Sequence, residues 1–146
     1  MEEKAILAII VFIGCGIFLC NVVEAKVRLL NGVRTNALYF GILQVYHNNE
    51  WGTVCDDGWN INNTKVVCRE LGYQQGIAKR VGEGSGRIWM DDVVCTGNEN
   101  SILSCTHGGW GVEDCDHSED IGMVCYSGND IYSNFFLFNI LNNRAF

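Results

Sequence analysis

Trp51-Gly52-Thr53-Val54-Cys55-Asp56-Asp57-Gly58-Trp59 carries more structural information than any other stretch of the chain. Trp51–Cys55 is short, aromatic and β-branched, the make-up of a strand, and it ends on a cysteine. Asp56 and Asp57 follow at once. Either of them alone could serve simply to cap a turn through backbone N–H groups. Together they put two hard oxygen donors directly after a cysteine.

Outward toward the N-terminus, His47-Asn48-Asn49-Glu50 is a polar turn, preceded by an apolar strand over Phe40–Tyr46 and another over Val27–Leu30. Toward the C-terminus, Asn62-Asn63-Thr64 offers N-cap residues for a short helix that buries Val66, Val67, Cys68 and Leu71, with Gly72 placed to stop it. Gly82-Glu83-Gly84-Ser85-Gly86 leads into a strand at Ile88-Trp89-Met90. It lacks the Lys-Ser/Thr of a phosphate-binding loop and carries Glu83 where phosphate would lie, so it reads as a tight turn. No internal repeat and no proline occur.

Ala5–Leu19 is almost continuously apolar, and Val23-Glu24-Ala25 ends in the small-residue spacing of a cleavage site. This predicts a signal peptide over residues 1–25 and a secreted chain from Lys26; an uncleaved membrane anchor is the alternative. Cys15 and Cys20 leave with the leader. The six that remain, Cys55, Cys68, Cys95, Cys105, Cys115 and Cys125, read as three disulfides in an exported chain, with fifteen possible pairings. Zinc is the weaker reading, because Cys115-Asp116-His117 has no CxxC knuckle beside it.

The net charge of −7 and pI near 4.8 argue against nucleic-acid binding by bulk charge and in favour of holding cations. No Lys or Arg occurs from Ile88 to Asn143, and the acids of that stretch bunch beside cysteines. Lys65, Arg69, Lys79, Arg80 and Arg87 form a weaker candidate surface for anions. Enzyme chemistry is not expected. Ser118 beside His117 is not a nucleophile–base pair, His107 has no partner motif, and paired cysteines leave no thiol. Asn62-Asn63-Thr64 is also an N-glycosylation sequon carried by Asn62, expected in an exposed turn. Residues 127–146 form an extension with an apolar patch at Phe135-Phe136-Leu137-Phe138 and Ile140-Leu141, too short to span a bilayer. It suits either a terminal segment covering a groove or an oligomer contact.

These blocks, in this order, resemble the scavenger receptor cysteine-rich family over roughly Val27 to Tyr126. The resemblance rests on Val27-Arg28-Leu29, on WGTVCDDGW at 51–59, on VVCRELG at 66–72, on GEGSGRIWMDDV at 82–93 and on CDHSEDIGMVC at 115–125. It implies an α+β, disulfide-rich domain (residues 26–126) with a curved antiparallel sheet cradling one α-helix. It implies the six-cysteine group A pairing Cys55–Cys115, Cys68–Cys125 and Cys95–Cys105, since the positions of the eight-cysteine group's extra bridge fall near Ala37 and at Tyr73. It further implies calcium as cofactor, at a first site of Asp56, Asp57 and Glu119 and a second of Asp91, Glu99 and Asp114, all with oxygen ligands suited to the ion. The expected function is ligand recognition, with sulfated glycans, lipopolysaccharide, other polyanions or extracellular proteins as partners, in innate immunity or adhesion. A metal-independent protein-binding module, or a piece of a larger membrane receptor, is the alternative.

Overall fold

The computed structural model describes residues 25–80 and 84–128. The signal-peptide expectation falls outside them except for Ala25, as do Val81, Gly82 and Glu83 of the glycine-rich turn and all of the extension beyond Gly128. The described chain runs β1 (Val27–Leu30), β2 (Leu38–His47), β3 (Glu50–Val54), α1 (Ile61–Glu70), β4 (Gln75–Arg80), β5 (Arg87–Met90) and β6 (Ile121–Tyr126). Single 3-10 turns lie at Ile102–Ser104 and His117–Glu119.

The strands form one sheet in the order β4-β6-β2-β3-β5, with β1 paired to β2. Asn48 and Asn49, at φ 47° and 64°, make the two-residue connection between β2 and β3, a conformation asparagine tolerates better than most residues. The antiparallel sheet expected from the resemblance is mixed at one edge, where β5 runs parallel to β3 with Gly52 opposite Arg87 and Thr53 opposite Ile88. The cause is the connection: residues 55–86 cross over through α1 and β4, so β5 enters from the same end as β3. The sequence reading assigns no strand to β4 or β6. β4 (QGIAKR) is half-exposed, glycine-containing and basic at its end, and so has no clean alternation.

Asn60 caps α1. Its backbone is extended and its side chain accepts from the Asn62 N–H at 2.8 Å. The expected cap residues Asn62, Asn63 and Thr64 therefore lie two to four residues past the cap, in the first turn, and the sequon sits on a helix rather than in a loop. Thr64 is buried, and its Oγ1 accepts from the Trp59 indole N–H at 3.0 Å. The helix ends at Glu70, with Gly72 two residues on. Val66, Val67 and Cys68 pack into a core with Leu43, Val45, Val54, Met90, Val93, Ile102 and Met123. Each such side chain contributes about 1.5–3 kcal/mol on leaving water.

Cys55–Cys115, Cys68–Cys125 and Cys95–Cys105 are bonded, closing separations of 60, 57 and 10 residues. The pairs are those the resemblance implies. Cys68–Cys125 fastens α1 to β6, and Gly76 of β4 lies so close beneath it that a Cβ there would collide with the Cys68 sulfur.

Candidate functional site

β3 ends by handing Cys55 to the core, where its N–H donates to Met90 O at 3.0 Å. The chain then turns, and the Asp56 N–H donates to Glu119 O at 2.9 Å. This bond, with the Cys55–Cys115 bridge, sets the Asp56-Asp57 turn beside the 3-10 turn His117–Glu119. That turn is itself fixed by a reciprocal cap. Asp116 Oδ1 accepts from the Ser118 N–H at 2.7 Å, and Glu119 Oε2 accepts from the Asp116 N–H at 3.1 Å. The bonds from Ser118 hold the Asp116 carboxyl below the usual aspartate range. As a result, carboxylate oxygens of Asp56, Asp57 and Glu119 lie within 4.8 Å of one another at the surface.

Arg80, at the end of β4, reaches into this cluster. Its Nε donates to Asp56 Oδ2 at 2.6 Å, and its second nitrogen donates to Asp56 Oδ1 at 2.9 Å and to Glu119 Oε1 at 3.4 Å. The bond to Asp56 raises the Arg80 guanidinium further above its ordinary value. Three carboxylates against one guanidinium leave two negative charges, the complement of a divalent cation. Sequence reading puts Arg80 in a basic patch, whereas the structure makes it the counter-ion of the acidic one. The signal was absent from the sequence because β4 was not recognised, so nothing set residue 80 opposite residue 56.

The expected second set does not assemble. Asp91 is buried, which raises its carboxyl above the usual range, and it accepts from the Asp92 N–H at 2.7 Å and from the backbone of Asp114. It lies with Asp57 against the Cys55–Cys115 bridge, whose sulfurs are not thiolates. Glu99 faces elsewhere. Its oxygens accept from the Thr96 N–H at 2.8 Å, the Thr96 hydroxyl at 3.0 Å and the Gly97 N–H at 3.0 Å, which hold it at about 2. Among the described residues no close carboxylate group joins Glu99 to Asp91 and Asp114. The reason is local: Glu99 closes its own four-residue turn beside Cys95–Cys105, and Asp114 serves Asp91 with its backbone.

The remaining basic residues do not make a free anion patch either. Arg69 donates to the carbonyls of Gly97 and Glu99, and Arg87 lies 5.4 Å over the Trp89 ring. Lys65 on α1 and Lys79 on β4 are exposed. His117 is engaged at both nitrogens, 2.9 Å from Asp120 Oδ2 and 3.3 Å from Gly86 O. Burial pulls its imidazole down, but the Asp120 hydrogen bond and charge outweigh this and leave it raised. Two further histidines join an aromatic cluster that sequence did not suggest. His47 stacks on Trp110 at 3.9 Å, and His107 meets the same ring edge-on at 4.9 Å.

A family model for the scavenger receptor cysteine-rich domain matches residues 33–126. Lysyl oxidase homolog 2A of Danio rerio is 49% identical over 126 residues, which is 84% of this chain and 17% of that protein. Lysyl oxidase homolog 2 of Homo sapiens is 45% identical over 109 residues, 72% of this chain and 14% of that protein. The chain thus spans less than a fifth of these relatives' length. Among solved structures, the dimeric form of the SRCR domain of mouse MARCO superposes with a TM-score of 0.60 at 48% identity, covering 64% of this chain and 93% of that one. The third SRCR domain of murine neurotrypsin gives 0.59 at 42% identity, with 68% and 94% covered.

Proposed function

The chain belongs to the scavenger receptor cysteine-rich family, and from that premise we propose that it is an extracellular binding module whose Asp56–Asp57–Glu119 cluster takes up calcium and uses it to recognise anionic ligands. One observation carries the reading: three carboxylates, drawn from two segments joined by Cys55–Cys115, meet within 4.8 Å at the surface. Such a set supplies the hard oxygen donors calcium prefers, and carbonyls and water complete its shell. A calcium ion there attracts sulfate or phosphate groups of sulfated glycans, lipopolysaccharide or other polyanions, which the acidic chain by itself repels. Arg80 offers the same ligands a second positive charge.

Three disulfides support an oxidising, extracellular setting and the six-cysteine group A assignment. Among the described residues no helix is long and apolar enough to cross a membrane. The role is binding rather than catalysis. All six described cysteines are paired, and His117 is held at both nitrogens. The lysyl oxidase homologs contain many times more chain than the part matched here, so an oxidase activity is not carried over.

Arg80 also favours a second reading. Because it already neutralises part of the cluster, the surface is a salt-bridged patch suited to a protein partner without metal. The two readings separate on a chelator. Binding of the disulfide-intact protein to immobilised heparin or lipopolysaccharide is expected to rise with calcium and to vanish in EDTA. Binding that is unchanged by EDTA overturns the calcium reading and favours the metal-free surface.

A further inference from the structure

Asn62-Asn63-Thr64 fits the acceptor pattern for N-linked glycosylation, in which a transferase holds the asparagine amide and reads the hydroxyl two residues on. The fold separates those two groups. An α-helix turns once in about 3.6 residues, so positions i and i+2 point about 200° apart. Asn62 accordingly lies half-exposed, whereas Thr64 is 2% exposed on the core side of α1. The Thr64 hydroxyl is also already engaged, accepting from the Trp59 indole N–H at 3.0 Å and donating to Asn60 O at 3.4 Å. A transferase cannot read it in the folded domain. In an extended chain the same two side chains stand on one side, open to the enzyme.

Asn62 itself has room for a sugar. Its Nδ2 donates to no group among the described residues, whereas that of Asn63 is bound to Val93 O. Its neighbour Gly97, at φ 96°, has no side chain, and a Cβ there would come within 3.2 Å of Asn62 Oδ1. The far end of the domain sets the timing. A helix of 10 residues is marginal in water without tertiary packing. α1 is held by a core that includes Met123 of β6 and by Cys68–Cys125, and Cys125 comes 57 residues after Cys68. Synthesis at about 5–20 residues per second takes roughly 3–11 s to cover that stretch, and through it the sequon has no stable helix to close it.

We propose that Asn62 carries an N-linked glycan added while the sequon is still extended, and that formation of α1 then closes the site to the transferase. In the transfer, Asn62 Nδ2 bonds to the anomeric carbon of a lipid-diphosphate-linked oligosaccharide. The anomeric C–O bond to the diphosphate breaks, the lipid diphosphate leaves with the electron pair, and a base of the transferase takes the amide proton. The finished sugar stands on the first turn of α1, next to the exposed Ile61. The proposal rests on the extracellular setting inferred above and is independent of the calcium site.

Full-length protein recovered from the medium of mammalian cells tests the site by peptide mapping after glycosidase release in heavy-oxygen water. Asn62 is expected to be converted to labelled aspartate in most molecules. Secreted protein with an unmodified Asn62 overturns the assignment. Purified oligosaccharyltransferase with lipid-linked oligosaccharide tests the closure on unglycosylated full-length chain made in bacteria. The reduced, unfolded chain is expected to be glycosylated at least about tenfold faster than the disulfide-intact protein, where transfer must wait for α1 to open locally. Equal rates on the two overturn the closure, and no transfer to the reduced chain overturns the site. A chain retained inside the cell counts against the extracellular setting instead, and the purified transferase then decides the closure by itself.

Discussion

Asn63 should be worth more to this domain than its helical position suggests. It is fully buried in the first turn of α1, where its Nδ2 donates to Val93 O at 2.7 Å and its Oδ1 accepts from the Cys95 N–H at 3.1 Å. These two bonds tie the helix to the segment that follows Asp91. Asn63→Ala leaves one buried carbonyl and one buried N–H without partners, at about 1–3 kcal/mol each. Alanine's better helix propensity returns at most about 0.7 kcal/mol. The net loss is about 3 kcal/mol, a fall in Tm of more than about 10 °C for a domain of this size. The variant keeps the Asn62-x-Thr64 sequon, so glycosylation does not confuse the comparison. Asn63→Asp keeps the acceptor for Cys95 but turns a carboxylate toward Val93 O. Burial raises its folded pKa above the unfolded value, so its penalty is absent below about pH 4 and grows as pH rises through that range. Denaturant unfolding of the disulfide-intact proteins reads both effects. A loss below about 0.5 kcal/mol for Asn63→Ala, the level of an ordinary surface change, would refute the account of how helix and loop are joined.

Replacing Cys68 and Cys125 by alanine opens a 57-residue loop closure and should cost about 4 kcal/mol on the loop-entropy model; unchanged unfolding would contradict it. Gly76→Ala drives a methyl into the Cys68 sulfur and should destabilise by about 1–3 kcal/mol, with Gly72→Ala, which has open space around it, as the contrasting case of backbone strain alone. The depressed Glu99 carboxyl should keep its loop contacts well below the unfolded glutamate range and lose them as pH falls through about 2. The Thr96 and Gly97 amide shifts should therefore titrate with that midpoint, and a midpoint near the ordinary glutamate value of 4.5 would count against the observed loop. Arg80→Gln removes the guanidinium from the acidic cluster and should tighten calcium binding about threefold or more, the effect of one screened surface charge. Weaker binding would mean that Arg80 supports the site instead of competing for it.

Strand β1, the β2–β3 hairpin and the body of α1 were legible because each carries its own local signal: short β-branched runs, an Asn-Asn turn, a helical apolar stripe. The three disulfides were legible as a number from composition, and as a pairing only through family resemblance. β4 and β6 were not legible. A Cβ at Gly76 would collide with the Cys68 sulfur, and Lys79 and Arg80 lie exposed on the edge strand, so the usual alternation is missing. The first carboxylate set was legible only through the family resemblance, which implied both Asp56, Asp57 and Glu119 and the Cys55–Cys115 bridge that joins their segments. Arg80's entry into it was not, since it depends on β4 pairing with β6 across about forty residues of sequence. The second set failed for a physical reason that spacing does not reveal: Glu99 had three donors within its own turn and stayed with them.

Calorimetric titration of the disulfide-intact protein with calcium, beside Asp57→Asn, tests the central claim most directly. Asp57 is exposed and its carboxylate takes no hydrogen bond from the described residues, so the change should spare the fold while removing one ligand. The account predicts saturable binding at one site in the parent and clearly weaker binding in the variant. No heat, and no change in Tm with calcium, would contradict it and return Asp56, Asp57 and Glu119 to the role of a salt-bridged surface.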